Sequence, residues 1–444
     1  MVDQPESITV IGGGLAGLAA ATRLLDRGYD GELILLERAP FLGGRVSTVD
    51  YKGHRLDLGQ HMHVSGFEFY LEFLARIGLE DKIRTQPRLE AEFRDRSGKI
   101  GKVEGNNILP PFHLASSLIN FPFISLIDKA SFAGPLLSAL LFEYEEDDRQ
   151  VSFGDWLRRR GTTQRSIERL WNQIIIPTLN ATVDEVSLPM GMMILKRVLL
   201  DKGGGKLGRL DGNLDQIGEK ASDFIESHGG KVRLSSPVST IDPAGDGECR
   251  VELTDGGIVK SEIVLSAVPG YRLERILPEP TLNKFSCPFW NLNWNSILNV
   301  HLFFSEGVMD REFFGFLEGT AGWVFNVNWN EPNSGDHVCL TLSDPGELEN
   351  MNSKALINLV IQELSAPLPR IEDASLLDSA VLHQPKATFK PDPGSSSFRQ
   401  SQNPEIPGLY LAGDWTDTGW PSTMEGAVRS GYLAADEILG SSNR

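Results

Sequence analysis

The chain has 444 residues, with 60 acidic against 42 basic side chains and a formal net charge of −18. This length favours two domains, and the excess of acidic residues argues against a nucleic-acid-binding protein. The few cysteines, Cys249, Cys287 and Cys339, are far apart, which argues against a disulfide framework or a zinc site and favours a reducing compartment. Acidic residues precede the first apolar run, so we expect no secretory signal peptide.

The first informative stretch, residues 7–38, is SITVIGGGLAGLAAATRLLDRGYDGELILLER. Its apolar run 8–11 predicts a buried strand, and a G-x-G-x-x-G pattern then opens an amphipathic helix with Gly28 as its expected C-cap. A second apolar run, 32–36, predicts a strand that ends on Glu37. Strand, glycine pattern, helix and acid-tipped strand in this order predict a dinucleotide-binding unit.

The glycines explain how a pyrophosphate would bind there. Gly12 makes the tight turn, Gly14 lets the pyrophosphate approach the backbone, and Gly17 lets the helix pack closely on the strand. The helix N-terminus supplies N–H donors and a positive dipole end, and the Glu37 carboxylate suits ribose hydroxyls.

A second G-x-G-x-x-G match, at Gly203, Gly205 and Gly208, has no clean strand before it and no acid-ended strand after it. We interpret this stretch as a flexible connection between domains. We therefore expect no second nucleotide site for NAD(P)H.

Residues 106–127 contain no Asp, Glu, Lys or Arg, and a second uncharged run follows at 130–142. Prolines interrupt the first run, and the second is too short to cross a bilayer. Two interpretations remain open: a buried part of a substrate domain, or a segment that lies on the bilayer surface beside the mouth of an apolar tunnel.

Behind Glu37 come GGR at residues 43–45, Ser47, and DLGQH at residues 57–61. This combination resembles the amine oxidase and phytoene desaturase group of FAD flavoproteins. The resemblance implies an α/β fold, in which a Rossmann-like FAD-binding domain of the glutathione reductase type 2 carries an inserted α+β substrate domain of mixed sheet and helices. We place the FAD-binding domain at 1–70, 205–270 and 395–444, and the substrate domain at 71–204 and 271–394, with a helical apolar segment at 106–142.

The C-terminal stretch GLYLAGDWTDTGWPSTMEGAVRSG, residues 408–431, fits the same resemblance. Its apolar start predicts a strand that delivers Asp414, which in the family contacts the ribityl or phosphate part of the flavin. STME, residues 422–425, fits a capping box, so a helix should start there with its first N–H groups toward the isoalloxazine edge. The small residues Gly426 and Ala427 would let the ring lie on the backbone.

The family further implies that the backbone at Val238 holds the adenine. The residues that we expect to bind FAD are Gly12, Gly14, Leu15, Ala16, Gly17, Glu37, Arg38, Gly43, Gly44, Arg45, Gly59, Gln60, Val238, Gly413, Asp414, Thr423, Met424 and Ala427.

Four further runs are similar to hydroxysqualene dehydroxylase, also called squalene-associated FAD-dependent desaturase: residues 170–187, 296–304, 384–389 and 413–431. The likeness covers nearly the whole chain, although Leu58 stands where that family commonly has Asn. It implies that hydride from reduced FAD replaces the allylic hydroxyl of hydroxysqualene and gives squalene, in hopanoid biosynthesis. It also implies an isoprenoid lipid substrate, a reductant of unknown identity, and a cytoplasmic protein held peripherally on the inner face of a bacterial plasma membrane.

This reaction needs a proton donor for the leaving hydroxyl. His61 is the first candidate, because an unperturbed histidine pKa of about 6.5 suits the task. Gln60 would orient the substrate. A hydrogen-bonded structural histidine is the alternative for His61, and Asp417 is a second candidate acid whose alternative is a solvated loop carboxylate.

Aromatic faces would stabilise an allylic cation. Trp415 and Trp420 are the candidates for this role near the flavin. For Trp156 and Trp171 we favour core packing.

Three rivals share the scaffold. An oxidative carotenoid or phytoene desaturase would use the same FAD residues and run the hydride in the opposite direction. An amine oxidase is disfavoured, because there is no obvious aromatic cage and no cysteine after Cys339 for a cysteinyl-flavin link. A non-catalytic lipid-binding module, like the Rab GDP-dissociation inhibitors, is disfavoured by the intact Gly17, Glu37, Arg45 and Asp414.

Overall fold

The computed structural model of the chain describes residues 4–440 except 107, 111, 144, 202, 204, 244–247 and 330–334. The strands, in chain order, are β1 Ser7–Ile11, β2 Glu32–Leu36, β3 Thr48–Tyr51, β4 His54–Asp57, β5 His63–Val64, β6 Ile83–Thr85, β7 Glu90–Arg94, β8 Ile100–Glu104, β9 Leu207–Leu210, β10 Lys231–Arg233, β11 Val238–Pro243, β12 Cys249–Leu253, β13 Ile258–Ser261, β14 Ile263–Ser266, β15 Trp294–Phe304, β16 Phe313–Phe316, β17 Trp323–Asn326, β18 His337–Ser343, β19 Leu376–Phe389 and β20 Leu409–Leu411.

The α-helices are α1 Leu15–Asp26, α2 Glu68–Arg76, α3 Ala115–Asn120, α4 Leu126–Leu140, α5 Phe153–Arg159, α6 Gln164–Ser166, α7 Asn172–Leu179, α8 Leu188–Ile194, α9 Asp215–Ser227, α10 Gly270–Ile276, α11 Glu279–Leu282, α12 Ser353–Leu364 and α13 Met424–Ile438. Two π-helical segments, Ile167–Trp171 and Leu195–Leu199, follow α6 and α8.

A five-stranded parallel sheet carries the predicted dinucleotide unit. Its strand order is β10-β2-β1-β14-β20. The strands predicted at the two ends of the chain are confirmed as β1, β2 and β20, and their apolar runs are buried, as expected for a parallel sheet covered on both faces. Helix α1 ends at Asp26 with Arg27 as its C-cap, and Gly28, the predicted C-cap, is the next residue, with φ +84° and its N–H donated to the Leu25 carbonyl 3.0 Å away.

Helices α1 and α13 pack against each other through small side chains. A Cβ added to Gly431 would lie 2.3 Å from the carbonyl oxygen of Ala16 and 2.9 Å from the backbone nitrogen of Ala20. The expectation that the small residues of this C-terminal helix serve the flavin is therefore too narrow, because Gly431 is needed for the close approach of the two helices.

The second layer is a seven-stranded sheet in the order β19-β15-β18-β17-β16-β7-β8. Its pairs are antiparallel except β16 with β7, so the sheet is mixed. One face of its central strands packs in a core with α12, and helices α3 to α8 form a separate apolar core. This is the predicted combination of an α/β FAD-binding fold with mixed sheet and helices.

Two predicted boundaries need correction. Residue 70 falls inside α2, whose buried side chains Tyr70, Phe73 and Leu74 join the core of the parallel sheet. The end of the stretch predicted as a flexible connection is a strand, because Leu207 and Gly208 belong to β9 and Gly208 pairs with His63 of β5 and Thr85 of β6, while residue 204 lies outside the described residues. Long-range pairing fixes this stretch, and pairing of that kind leaves no local sequence signal.

Segment 106–142, which holds the two uncharged runs, is buried on one side and exposed on the other. Its inward side chains, such as Phe132 and Leu136, are buried in the helical core. Its outward side chains are exposed, with Leu126 77% and Ile127 74% accessible at the start of α4 and Leu141 87% accessible at its end. Positions 107 and 111 lie outside the described residues, and within the described part of the chain no helix is long and apolar enough to cross a membrane.

Candidate active site

A cavity of about 1080 Å³ lies between the parallel sheet and the mixed sheet. Its wall contains the glycine motif, the DLGQH stretch, side chains of β15, β17 and β18, and the start of α13. Ligands of open α/β sheets bind at the carboxyl ends of the strands, and this cavity lies there beyond β1, β2, β14 and β20.

The pyrophosphate end of the cavity is made by backbone. Gly14 is the N-cap of α1, and a Cβ there would meet only the Cα of Gly44, 4.0 Å away, so this side of the loop is open to a ligand. A Cβ on Gly17 would lie 1.9 Å from the carbonyl oxygen of Gly12, so this position requires glycine. Gly43 donates its N–H to the Gly13 carbonyl at 2.8 Å and fixes the second glycine loop beside the first.

Glu37 closes the adenosine end. Its carboxylate accepts hydrogen bonds from the N–H groups of Gly13 and Ala39, both at 2.7 Å. These bonds leave further carboxylate lone pairs for ribose hydroxyls. Arg38 and Val238 also line this end of the cavity.

Arg45 and Asp414 form a bidentate ion pair at 2.9 and 2.6 Å across the middle of the cavity. Arg45 also donates to the carbonyl of Ala387 on β19 at 2.5 Å, and Ser422 donates its hydroxyl to Asp414. Burial opposes ionisation of Asp414, but the Arg45 guanidinium and the Ser422 hydroxyl outweigh it and hold the pKa of this carboxyl below its usual range. The ion pair lies within the FAD-binding domain, its bond to Ala387 reaches the substrate domain, and it presents a fixed charge pattern to a ligand.

The start of α13 differs from the predicted capping box. The helix begins at Met424, and Thr423 is the N-cap, with its hydroxyl accepting the N–H of Gly426 at 3.1 Å. Glu425 instead accepts the N–H of Tyr70 at 2.9 Å, and Ser422 bonds to Asp414. The N-terminus nevertheless faces the cavity, which Thr423, Met424 and Ala427 line.

These features fit FAD. Two helix N-termini face one cavity, and a helix N-terminus favours negative charge on a ligand. The α1 terminus would hold the pyrophosphate, and the α13 terminus would face the flavin edge where reduced flavin carries negative charge. Every residue predicted to bind FAD except Gly17 lines the cavity: Gly12, Gly14, Leu15, Ala16, Glu37, Arg38, Gly43, Gly44, Arg45, Gly59, Gln60, Val238, Gly413, Asp414, Thr423, Met424 and Ala427.

Gln60 and His61 line the cavity as predicted, but His61 is poorly suited to donate a proton. Burial lowers its pKa to about 4, so the ring is neutral at pH 7. Its Nε2 lies 3.1 Å from the carbonyl oxygen of Arg45, and a neutral ring in this position donates its only N–H to that carbonyl. The geometry favours the alternative, a hydrogen-bonded structural histidine.

Asp417 is not part of the cavity. Its side chain is exposed on the outer side of the 414–420 loop, and it accepts a long bond of 3.4 Å from the N–H of Gly419. The prediction that Asp417 could act as the acid is therefore wrong, and the solvated-carboxylate alternative applies. The loop is fixed from inside, where buried Arg399 donates to the carbonyls of Asp414 and Trp420.

The tryptophans divide as predicted. Trp415 and Trp420 line the cavity, and the Trp415 indole donates to the Val268 carbonyl at 3.0 Å. Trp156 and Trp171 are buried in the helical core.

Sequence reasoning missed the wall formed by the mixed sheet. Asn299, Thr341, Trp323 and Phe325 line the cavity from three neighbouring strands. The Thr341 hydroxyl donates to Asn299 at 3.0 Å, and Trp323 and Phe325 stack with 6.4 Å between ring centroids. The alternation of side chains between the two faces of β15 and β17 was the available signal, but the sequence does not show which face of these strands lines the cavity.

Fold and site together define an FAD-dependent oxidoreductase. The sequence profile of the family "Flavin containing amine oxidoreductase" matches residues 15–439, and the chain belongs to this family. The chain is 27% identical over 464 residues to the 15-cis-phytoene desaturase of Solanum lycopersicum, covering 98% of this chain and 78% of that protein. It is 24% identical over 482 residues to a probable zeta-carotene desaturase of Synechococcus elongatus, covering 97% and 98%.

Solved structures share the fold. A putative protoporphyrinogen oxidase from Exiguobacterium sp. 255-15 superposes with a TM-score of 0.72 at 19% identity, over 98% of both chains. Putrescine oxidase bound to putrescine superposes with a TM-score of 0.73 at 17% identity, over 98% of this chain and 99% of the other.

Proposed function

We propose that the protein reductively dehydroxylates hydroxysqualene to squalene, as a step of squalene and hopanoid biosynthesis. The observation that carries the proposal is the aromatic wall around the flavin-facing part of the cavity. Trp420, Trp323 and Phe325 line this region. Ring faces stabilise a cation, and loss of an allylic hydroxyl creates one.

The reaction replaces a C–O bond by a C–H bond. When bound, FAD in its reduced form supplies the hydride, and the hydroxyl leaves with one proton as water. The protein must therefore bind an apolar chain, exclude bulk water, and bring one proton to the leaving oxygen.

The chain's own residues divide these tasks. Apolar side chains such as Ile194, Val198 and Leu207 line the part of the cavity away from the glycine motif. The Gln60 amide nitrogen is buried beside the Cys339 thiol, and Gln60 also lines the cavity, where its amide can donate to a substrate hydroxyl. Asn299 is less available, because its amide donates to the Leu58 carbonyl at 3.2 Å.

A carotenoid or phytoene desaturase is the second candidate. The similarity to plant and cyanobacterial desaturases at 24–27% identity favours it. A product assay separates the two: anaerobic, reduced enzyme with hydroxysqualene should give squalene, and oxidised enzyme with phytoene and a quinone should give no product with additional double bonds. The opposite pattern would assign the desaturase, and a folded protein without flavin absorbance would revive the lipid-binding module.

We further propose that the outward face of segment 106–142 lies on a membrane, on the cytoplasmic side. Its large exposed side chains are Ile108, Leu109, Phe112, Ile119, Leu126, Ile127, Leu137, Leu140 and Leu141. The segment adjoins the cavity wall. At its end, the Phe142 carbonyl accepts a hydrogen bond from Lys196 at 3.2 Å. The next two residues in the chain, Arg197 and Val198, line the cavity. A water-insoluble substrate could enter there directly from the lipid.

Flotation with liposomes tests the membrane proposal. Because the net charge is −18, we expect attraction through apolar insertion, with weak dependence on salt and anionic lipid. Ile127→Glu with Leu141→Glu should abolish flotation. Leu377→Glu, at a residue that is 68% exposed on β19, is the matched control and should float like the parent. Equal flotation of the double variant would refute the proposal.

A further inference from the structure

The mixed sheet carries a file of polar side chains between the rim of the protein and the cavity. On the face of β15 and β18 that meets the β3–β4 hairpin, three paired rows follow one another: Asn299 with Thr341, His301 with Cys339, and Phe303 with His337. The first row lines the cavity. The third row lies at the rim, where His54 stacks on Phe303 with 3.9 Å between ring centroids.

The two histidines of this file are hydrogen-bonded to each other. Nδ1 of His301 lies 2.9 Å from Nε2 of His337. His301 is fully buried and His337 is partly exposed. Burial lowers the pKa of His301 to about 4 and that of His337 to about 3, so both rings are neutral at pH 7. A neutral imidazole can take a proton on one nitrogen while it releases one from the other.

Cys339 continues the file toward the cavity. Its Sγ lies 3.9 Å from Nε2 of His301. The thiol is fully buried, and burial raises its pKa, so the S–H proton is retained at rest. Gln60 lies next to this thiol and also lines the cavity.

Among the residues that the structure describes, the ionisable neighbours of the file that stand out are His54 at the rim and Asp57 at the inner end. His54 at the rim is paired with Asp378 at 3.0 Å. At the inner end Asp57 is the nearest carboxylate, and it accepts bonds from the Thr48 hydroxyl at 2.6 Å and from the Leu214 N–H at 3.2 Å.

Chemistry in the cavity needs a supply of protons, and the file of polar side chains could provide it. Its lining carboxylates among the described residues, Glu37 and Asp414, are both engaged at the cofactor end. His61 is neutral and donates to a backbone carbonyl, and Asp417 lies outside. Tyr271 and Lys386 also line the cavity, but the file is the route that links its inner wall to the rim of the protein.

We propose that His337, His301 and Cys339 form a proton relay between solvent and the flavin-facing part of the cavity. Solvent gives a proton to Nδ1 of His337, whose Nε2 proton passes to Nδ1 of His301. The Nε2 proton of His301 passes to Sγ of Cys339 as the original S–H proton leaves, past Gln60, to the group in the cavity that gains a proton, which during reduction of FAD would be the flavin. One proton enters and one leaves, and no group is oxidised.

The relay rests on FAD binding and not on the choice of substrate. Two-electron reduction of FAD takes up one proton, so reduction by dithionite, which supplies both electrons, tests the relay without hydroxysqualene. We would follow flavin bleaching by rapid mixing with dithionite in H2O and D2O. A failure of the proposed dehydroxylation then remains distinguishable from a failure of the relay.

The variants are chosen to keep the fold. Cys339→Ala and His301→Gln should bleach about tenfold more slowly, with a larger solvent isotope effect, since positioned proton donors contribute about 10²-fold or more. Cys339→Ser keeps a hydroxyl in place of the thiol and should restore the rate. His383→Gln, at an exposed histidine on β19 that pairs with Glu349, is the matched control and should not change it.

A second readout needs no turnover. Nitrogen NMR of histidine-labelled, cofactor-free protein should show one N–H shared between two imidazoles, and His337→Phe should abolish that signal. Unchanged bleaching rates and isotope effects in both Cys339→Ala and His301→Gln would overturn the relay. Absence of the shared N–H signal would overturn it as well.

Discussion

The close contact between α1 and α13 gives a sharp test, because both helices present their N-termini to the cofactor cavity. In Gly431→Ala the new Cβ would lie 2.3 Å from the Ala16 carbonyl oxygen. Ordinary contacts are longer by about 1 Å, so the helices must separate. Overpacking of this kind costs about 1–3 kcal/mol, against a helix-propensity gain of about 0.5–1 kcal/mol for replacing glycine by alanine.

We expect Gly431→Ala to lower the free energy of unfolding by about 2 kcal/mol, which is the upper end of that overpacking range less the helix-propensity gain. It should also weaken FAD binding, since the two N-termini would move apart. The measurements are urea unfolding at constant m-value and the flavin-to-protein absorbance ratio after dialysis. Glu437→Ala, at an exposed position of the same helix, should stay within about 0.5 kcal/mol of the parent. Parental stability and full flavin content in Gly431→Ala would refute the packing argument.

Three further predictions concern charge and the cavity wall. Asp414→Ala removes the buried partner of Arg45, so it should release FAD, and because the Arg45 side chain is 35% exposed it should lower the free energy of unfolding by less than the roughly 3–5 kcal/mol of a fully buried pair. A double-mutant cycle with Arg45→Met, read by flavin retention, should show strong coupling, and additive effects would contradict the pairing. Trp323→Leu should lower kcat by about tenfold, as expected for the loss of a cation–π contact of about 1–2 kcal/mol. Phe313→Leu, at a residue outside the cavity, should leave kcat unchanged. Equal kcat values for both variants would count against a cationic step. The free energy of unfolding should fall as the pH drops from about 6.5 toward 4. Histidines of the unfolded chain protonate near pH 6.5, whereas burial lowers the pKa of some histidines in the folded protein to about 4 or 3. A urea midpoint that stays constant from pH 7.5 to 5 would show that these rings are not buried in the neutral form. The histidines concerned are His61, His63, His301 and His337.

The cofactor end of the site could be predicted because its signals are local. The turn at Gly12, the helix start at Gly14 and the acid at Glu37 lie within one βαβ unit, where short-range sterics and strand length fix their positions. The strand before Asp414 is likewise a short apolar run. Each of these elements has the place that its local sequence indicates.

The substrate side could not be predicted in the same way, because long-range contacts decide it. Glu425 bonds to the N–H of Tyr70, far away in the chain, and this partner replaces the capping box that the local pattern favoured. Arg399 holds the 414–420 loop from inside, which turns Asp417 outward. The placement of Trp323 in the cavity wall follows from the register of β17 on β18, and a single sequence does not encode that register visibly.

The most direct test of the account is a single turnover of the anaerobically reduced flavoprotein with hydroxysqualene, followed by flavin absorbance and product extraction. We expect flavin bands in the purified protein, reoxidation upon addition of substrate, and squalene in an amount equal to the flavin reoxidised. Flavin that stays reduced in the presence of hydroxysqualene, with no squalene formed, would contradict the proposed reaction while leaving the fold and the cofactor in place.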